Sequence, residues 1–130
     1  EPTFYPDLTI YTKQHELLRE LSRKSDCVIV GRCADYILRE QKPIRIFAYA
    51  DMESKIKRCM ERHPKDENLT EAQMQKRITE IDRNRAKYYA FFCEQKWGAR
   101  ENYDLLVNTS GADIKKLASA LCEYLEALFE

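Results

Sequence analysis

The apolar residues of this chain follow two different spacings, and each spacing predicts its own kind of element. Helical spacing predicts five helices. The first ends near Lys24, and the second begins at Ala34. The other three begin at the N-cap Asp51, at a Thr70–Gln73 capping box and at the N-cap Asp113. Runs rich in β-branched and aromatic residues predict strands at 27–30, 44–50 and 103–108. Strands that alternate with helices favour a parallel sheet with crossover helices, an α/β fold.

The stretch CVIVGRCAD, residues 27–35, is the most informative segment of the sequence. Its unbroken β-branched run at 28–30 predicts a strand that is buried on both faces. Gly31 allows the backbone to turn, and Arg32 and Asp35 then follow at the carboxyl end of the strand, where α/β sheets bind their ligands. The alternative is an ordinary strand end that carries a surface arginine.

Two sets of arginines flank a polar loop at residues 63–68. Arg58 and Arg62 are four residues apart and therefore share one face of a predicted helix. The second set lies beyond the loop and consists of Arg77, Arg83 and Arg85. If the two helices form a hairpin, these guanidinium groups converge on one space, where they are suited to grip phosphate. The alternative is that both sets are solvated helix faces interleaved with acidic residues.

An aromatic cluster occupies the second half of the long predicted helix. Its members are Tyr88, Tyr89, Phe91 and Phe92, and their spacing favours a core role over a platform for a ligand. A competing hypothesis makes the helix from residue 88 to Trp97 a protein-interaction module, used as the face of a homodimer. That hypothesis predicts an exposed apolar patch of roughly several hundred Å².

The composition indicates which classes of partner and which cellular location to expect. The chain has 130 residues, which favours a single domain, and its 22 basic side chains balance its 22 acidic ones. We therefore expect no nucleic-acid partner and no membrane partner, and a cytoplasmic location. The five cysteines are widely spaced and lack the paired spacing of zinc ligands, so we expect reduced core thiols and no metal site.

Taken in order, these features resemble the cytidylate kinase-like branch of the nucleoside monophosphate kinases. The resemblance is carried by VIVGRCAD at 28–35, IDRNRAKYY at 81–89 and KWGARENYDLLVNTS at 96–110, and it extends over nearly the whole chain. It implies ATP-dependent phosphoryl transfer to a nucleoside monophosphate, most closely a cytidylate-like acceptor, with ATP and Mg²⁺ as cofactors. Cys33 and Ala34 replace the acid that cytidylate kinases proper carry directly after Gly-Arg, so Asp35 is an approximate counterpart.

The resemblance also implies roles for six residues. Arg32 and Asp35 would contact the acceptor, and Arg58 would lie against the adenine of ATP. A lid-like helical hairpin at 59–85 would close on the phosphates, with catalytic arginines at Arg62, Arg83 and Arg85. Such arginines would align the transferred group and neutralise its charge.

One part of such a kinase is missing from the sequence. The 130 residues contain three glycines and no G-x-x-x-x-G-K-[ST] loop, which cradles the phosphates in kinases of this class. The resemblance therefore implies the C-terminal two-thirds of a three-layer P-loop kinase-like fold, a parallel sheet with helices on both faces. Three strands would be present, the P-loop strand and one further strand would be missing, and the chain alone would be inactive. A missing strand would separate 27–30 from 44–50. The alternative is a non-catalytic nucleotide-binding or regulatory protein on the same fold.

Overall fold

A computed structural model describes residues 7–129 of the chain. The elements are α1 (Leu8–Lys24), α2 (Ala34–Ile37), a 3₁₀ turn (Arg39–Gln41), β1 (Ile46–Tyr49), α3 (Met52–Arg62), α4 (Glu71–Cys93), a second 3₁₀ turn (Arg100–Asn102), β2 (Leu105–Asn108) and α5 (Ile114–Ala127). The chain forms two compact units, each built from two segments. The first holds the residues up to Ile46 together with Glu80–Leu105, and the second holds Phe47–Thr79 together with the residues from Leu106 onward.

The helix starts predicted at Asp51, Thr70 and Asp113 are confirmed, because each has a side chain that satisfies free N–H groups of the first turn, whereas α2 begins at Ala34 without a side-chain cap. The Asp51 carboxylate accepts a hydrogen bond of 2.8 Å from the N–H of Ser54, and Asp113 caps α5 in the same way. Thr70 and Gln73 form a reciprocal capping box, in which each side chain accepts from the other's backbone N–H, at 2.9 and 3.2 Å.

The sheet formed by the described residues has two parallel strands, β1 and β2. The N–H of Leu105 donates to the carbonyl of Arg45 at 3.2 Å, and that of Thr109 donates to the carbonyl of Tyr49 at 2.7 Å. The same offset at both ends shows a parallel register. Parallel strands need a long crossover, and here α3 and α4 supply it.

The predicted third strand, at 27–30, is not part of this sheet. The segment has no assigned secondary structure, and Val28 and Val30 are 96% and 88% exposed, so the prediction of a strand buried on both faces is wrong. A β-branched run favours extended backbone, but burial depends on neighbours that the run itself does not supply. The expected separation of 27–30 from 44–50 by a missing strand stays a prediction.

The core of the first unit lies where α1, α2 and the end of α4 meet. Tyr11 of α1 stacks on Phe92 of α4 with ring centroids 3.8 Å apart. The core role predicted for the aromatic cluster is therefore confirmed, except that Phe91 is 51% exposed. The buried residues of this core are Leu18, Cys33, Ala34, Ile37, Leu38, Tyr89 and Cys93.

Apolar residues recur at helical spacing along the last helix and predict one inward face, made of Ile114, Leu117, Leu121, Leu125 and Leu128. This prediction is only partly correct. Leu117, Leu121 and Leu125 are half-buried, whereas Ile114 and Leu128 at the two ends are exposed. The periodicity identifies the face of a helix that packs inward. It carries no information on how far the neighbouring elements extend along that face.

The cap of α3 gives a prediction for the pH dependence of stability. The N–H of Ser54, followed by the hydroxyls of Ser54 and Ser110, lowers the pKa of Asp51 below its ordinary value of 3.8. A lowered carboxylate pKa contributes stability that is complete above the unfolded-state value and is lost as the pH falls through the folded-state value. We expect Asp51→Asn, which keeps a good cap without a titrating group, to remove this component. Urea unfolding of both proteins at about pH 6 and about pH 3 measures this pH-dependent component. The wild type should lose more stability on acidification than the variant. Equal losses in the two proteins would contradict the assignment.

Candidate functional site

The Gly-Arg turn predicted at the start of α2 has an unusual backbone. Gly31, Arg32 and Cys33 are all left-handed, with φ angles of 68°, 58° and 56°. Residues other than glycine adopt this conformation at a cost of roughly 1–2 kcal/mol each. Cys33 is buried at 4% exposure, whereas Arg32 is exposed. The turn therefore places the Cys33 side chain in the core and the guanidinium group of Arg32 outside the core.

The buried end of this turn is attached to α4. Cys33 packs in the same core cluster as Cys93. The interaction with the Cys33 thiol, followed by burial, raises the pKa of Cys93, so that thiol stays protonated. The contact helps to hold the strained turn against the end of the long helix. Both cysteines match the expectation of core thiols, whereas Cys27 and Cys122 are exposed.

Asp35, the second predicted acceptor residue, is also held from α4. The hydroxyl of Tyr89 donates to Oδ2 of Asp35 at 2.8 Å and lies 3.0 Å from Oε1 of Gln95. Burial, followed by the hydrogen bond to Asp35, raises the pKa of Tyr89. The sequence analysis placed Tyr89 in the core and missed this contact. The signal that was available is that a buried tyrosine hydroxyl usually has a hydrogen-bonding partner.

Two of the arginines of α4, Arg83 and Arg85, lie on different sides of the helix. Asp82, Arg85 and Tyr89 follow one another at three- and four-residue spacing and so share one face of the helix. Arg85 lies 3.9 Å from Asp82 on that face. Arg83 is two residues from Arg85, which corresponds to a rotation of about 200° around the helix. The structure thus places Arg85 on the face that carries Tyr89, and the exposed Arg83 on the other side.

In the second unit, Arg58 is fixed at the carboxyl end of the sheet. Its Nη1 donates to Oγ1 of Thr109 at 2.8 Å, and its Nη2 donates to the Thr109 carbonyl. The Thr109 hydroxyl in turn donates to the carbonyl of Tyr49 at 2.9 Å. Arg58 is half-buried. It is therefore part of a tie between α3 and the end of β2, and not a solvated helix face.

Other polar groups after β2 strengthen the same junction. The N–H of Asp51 donates to Oγ of Ser110 at 2.7 Å, and the N–H of Gly111 donates to Oγ of Ser54 at 3.3 Å. Sequence reasoning did not single out Thr109, Ser110 or Gly111 as site residues. The signal was a Thr-Ser-Gly run directly after a predicted strand, the position where α/β sheets bind ligands.

The remaining arginines of the predicted hairpin differ in their surroundings. Arg62 is the last residue of α3 and is exposed. Arg77 pairs with Glu67 at 2.6 Å, and the hydrogen bond from Arg77 lowers the pKa of Glu67. Arg58 and Arg62 belong to the second unit, and Arg83 and Arg85 to the first. Convergence of the two sets on one ligand stays a prediction.

Three further observations concern the part of the chain that the structure describes. A groove of about 470 Å³ beside α3 is lined by Glu53, Glu61 and Glu71 with Lys57, and its acidic lining disfavours phosphate. Among residues 7–129, no group of three or more His, Cys, Asp or Glu side chains is arranged to hold a metal ion. Within the same described range, no helix combines the length and apolarity needed to span a membrane.

The tie at Arg58 gives a testable prediction. Thr109→Val keeps the shape of the side chain but removes the hydroxyl that accepts from Arg58 and donates to the Tyr49 carbonyl. Because one of these bonds involves a charged group, we expect a loss of about 1.5–3 kcal/mol in the free energy of unfolding. Urea unfolding measures it, with Thr109→Ser as the control that retains the hydroxyl. Equal stability of the valine and serine variants would show that the tie contributes nothing.

Comparison with known proteins agrees with the local motifs. The profile of the cytidylate kinase-like family matches residues 5–111. Comparison with curated proteins gives no significant match. Among solved structures, the chain is similar to the crystal structure of an uncharacterized protein from Eubacterium ventriosum, with a TM-score of 0.82 and 31% sequence identity, over 95% of this chain and 69% of the other. With more than half of its length matched by the family profile, and with the Gly-Arg turn and the D-R-N-R helix inside the matched region, this chain belongs to the cytidylate kinase-like family.

Proposed function

We propose that this chain carries the acceptor site and the lid of an ATP-dependent kinase that phosphorylates a nucleoside monophosphate, with a cytidylate-like acceptor. The observation that carries the proposal is the left-handed turn that includes Arg32 and is followed by Asp35. A strained backbone is maintained there by buried contacts, and its exposed cation is followed three residues later by a carboxylate that Tyr89 holds. Strain of this kind concentrates at functional sites. Family membership supports a nucleotide-related kinase function.

On the acceptor side, Arg32 and Asp35 have complementary chemistry for a nucleotide. The guanidinium of Arg32 is exposed and permanently charged, so it suits the acceptor's phosphate or the carbonyl edge of its base. The carboxylate of Asp35 accepts hydrogen bonds from amino or hydroxyl groups. Both residues lie in the first unit within four positions of each other, which lets one turn contact two parts of the same small molecule.

On the donor side, Arg58 would lie against the adenine of ATP. Thr109 holds two of its guanidinium nitrogens, so the planar group has a fixed orientation for stacking on a base. Arg62, Arg83 and Arg85 would belong to the lid-like segment at 59–85 and would neutralise charge on the transferring phosphoryl group. Closure of such a lid would also keep water from the reaction.

The phosphate-binding loop and Mg²⁺ are not accounted for by these residues. The 130 residues contain no G-x-x-x-x-G-K-[ST] sequence, and the described residues hold no cluster of metal ligands. Transfer therefore requires that loop from outside this stretch of sequence, and we expect the chain alone to be inactive. Mg²⁺ would shield the ATP phosphates when bound with that loop. ATP and nucleoside monophosphates as partners are consistent with a cytoplasmic protein.

A second candidate is a non-catalytic nucleotide-binding or regulatory protein that uses the same arginines to sense anions. Absence of a G-x-x-x-x-G-K-[ST] loop from the full-length protein would favour it. Nucleotide binding without phosphoryl transfer by the full-length protein would support this second function. The third hypothesis, an interaction module on the aromatic helix, is weakened because Tyr89 is buried and Tyr88 and Phe92 pack against the core.

The lid role predicts the effect of removing its arginines. In the full-length protein, Arg83→Ala and Arg85→Ala should each lower kcat by about a hundredfold or more, because each removes charge stabilisation from the transition state. Stability should change little, since both side chains are exposed. The measurement is steady-state kinetics with ATP and a panel of nucleoside monophosphates. Lys76→Ala, which removes another exposed cation of α4, is the matched control. Activity equal to that of the control would remove these arginines from the mechanism.

The acceptor role predicts a different kinetic effect for Arg32. Arg32→Ala should raise the KM for the acceptor by about tenfold or more, since it removes a charge-assisted contact, and should leave the KM for ATP unchanged. Arg23→Ala, an exposed arginine on α1, is the control. The same kinetic assay with varied acceptor concentration measures both constants. An acceptor KM that stays at the wild-type value would disprove the assignment.

A further inference from the structure

Tyr89 combines deep burial with a polar contact to a predicted site residue. The residue is 6% exposed, in the core formed by α1, α2 and α4. Its hydroxyl nevertheless reaches Oδ2 of Asp35 at 2.8 Å, across 54 positions of sequence. A phenylalanine would fill the same space without the polar atom, so packing alone does not account for a tyrosine here.

The chemistry of the groups fixes the direction of this hydrogen bond. An ionised carboxylate is only an acceptor, so the single hydroxyl proton of Tyr89 is donated to Asp35. The phenol oxygen also lies 3.0 Å from Oε1 of Gln95, and the side chain of Tyr103 lies near it. Tyr103 in turn accepts from the N–H of Gly98 at 3.1 Å. The phenol is therefore held by groups from the segment after α4 as well as by the core.

The contact occupies only one side of the carboxylate. Oδ2 of Asp35 accepts from Tyr89, whereas Oδ1 accepts no hydrogen bond from the described residues of the protein. Asp35 is half-buried, in the first turn of α2, three residues after Arg32. A carboxylate that is held at one oxygen and open at the other can receive a ligand donor in one orientation.

We propose that Tyr89 is a positioning residue for the acceptor: its hydroxyl fixes Asp35 so that the second carboxylate oxygen meets a donor group of the nucleoside monophosphate. The inference rests on the proposed function and goes beyond it, because Tyr89 itself contacts no substrate. Without the Tyr89 hydroxyl, the Asp35 side chain is free to rotate. Binding of the acceptor must then include the free-energy cost of ordering that side chain.

The experiment uses the full-length protein with ATP and CMP as the acceptor. Tyr89→Phe removes one oxygen and keeps the ring, and Tyr88→Phe is the matched control, because Tyr88 is the neighbouring tyrosine without a hydrogen bond to Asp35. We expect Tyr89→Phe to raise the KM for CMP about tenfold, the usual size for a lost hydrogen bond to a charged group. Its kcat and its KM for ATP should match those of Tyr88→Phe.

A double-mutant cycle separates positioning from a purely structural role. If Tyr89 acts through Asp35, Tyr89→Phe should add nothing to the KM of Asp35→Ala, which has no side-chain oxygen for the hydroxyl to bind. Should Tyr89→Phe fail to fold, Tyr103→Phe, which removes the hydroxyl near the phenol, is expected to raise the KM for CMP about threefold. Additive effects in the cycle, or an unchanged KM in the Tyr103 variant, would overturn the proposal.

The outcomes distinguish this inference from the proposed function. If the wild type transfers phosphate to no nucleoside monophosphate, the proposed function fails, and the inference falls with it. If the wild type is active and Tyr89→Phe has the same CMP KM as Tyr88→Phe, only the inference fails. A fall in kcat, ATP affinity and thermal stability together would assign Tyr89 a structural role and would also reject the inference.

Discussion

A hydroxyl enclosed by apolar side chains must be hydrogen-bonded, because leaving it unpaired costs about 1–3 kcal/mol. In the first unit this constraint acts at Tyr89, whose hydroxyl bonds to Asp35. One interaction thereby joins the long helix to the start of α2, directly after the left-handed turn at Gly31 to Cys33. The geometry of both predicted acceptor residues depends on this junction, since Arg32 and Asp35 flank the anchored Cys33.

In the second unit, the same requirement for a hydrogen-bonding partner applies to a charged group. Arg58 is half-buried, and Thr109 satisfies it with both a hydroxyl and a carbonyl oxygen. Thr109 occupies its place because β1 and β2 run parallel and end at the same edge of the sheet. In each unit, then, a residue with a proposed binding role is held by a polar partner from another element. Such support is what keeps a site preorganised for its ligand.

The arginines predicted for the lid are less uniform than their sequence pattern indicated. Arg77 is paired with Glu67 from the polar loop. Arg85 shares a helix face with Tyr89, whereas Arg83 lies on the other side of α4. A cluster of cations in sequence therefore contains members with different partners and directions. Membership of the cytidylate kinase-like family supports a kinase-related role. The individual roles of these arginines are part of the proposed function.

Most of the local structure was predictable from the sequence. The caps at Asp51 and Asp113 and the box at Thr70 were correct, because a helix start depends on side chains within about four residues. The family was also recognisable, since its motifs are short segments in a fixed order. The amphipathic face of α5 was correct at its centre and wrong at its ends, where exposure is set by neighbouring elements and not by periodicity.

Only the tertiary structure decided the contacts that hold the site. The residues in each contact are far apart in sequence, 54 positions for Tyr89 and Asp35 and 51 for Arg58 and Thr109, so no local pattern relates them. The exposed valines at 28 and 30 show the same limit, because a β-branched run specifies an extended backbone while burial requires a neighbouring element. The sequence determined the helices, their caps and the family, and the packing of distant segments determined how the candidate site residues are held.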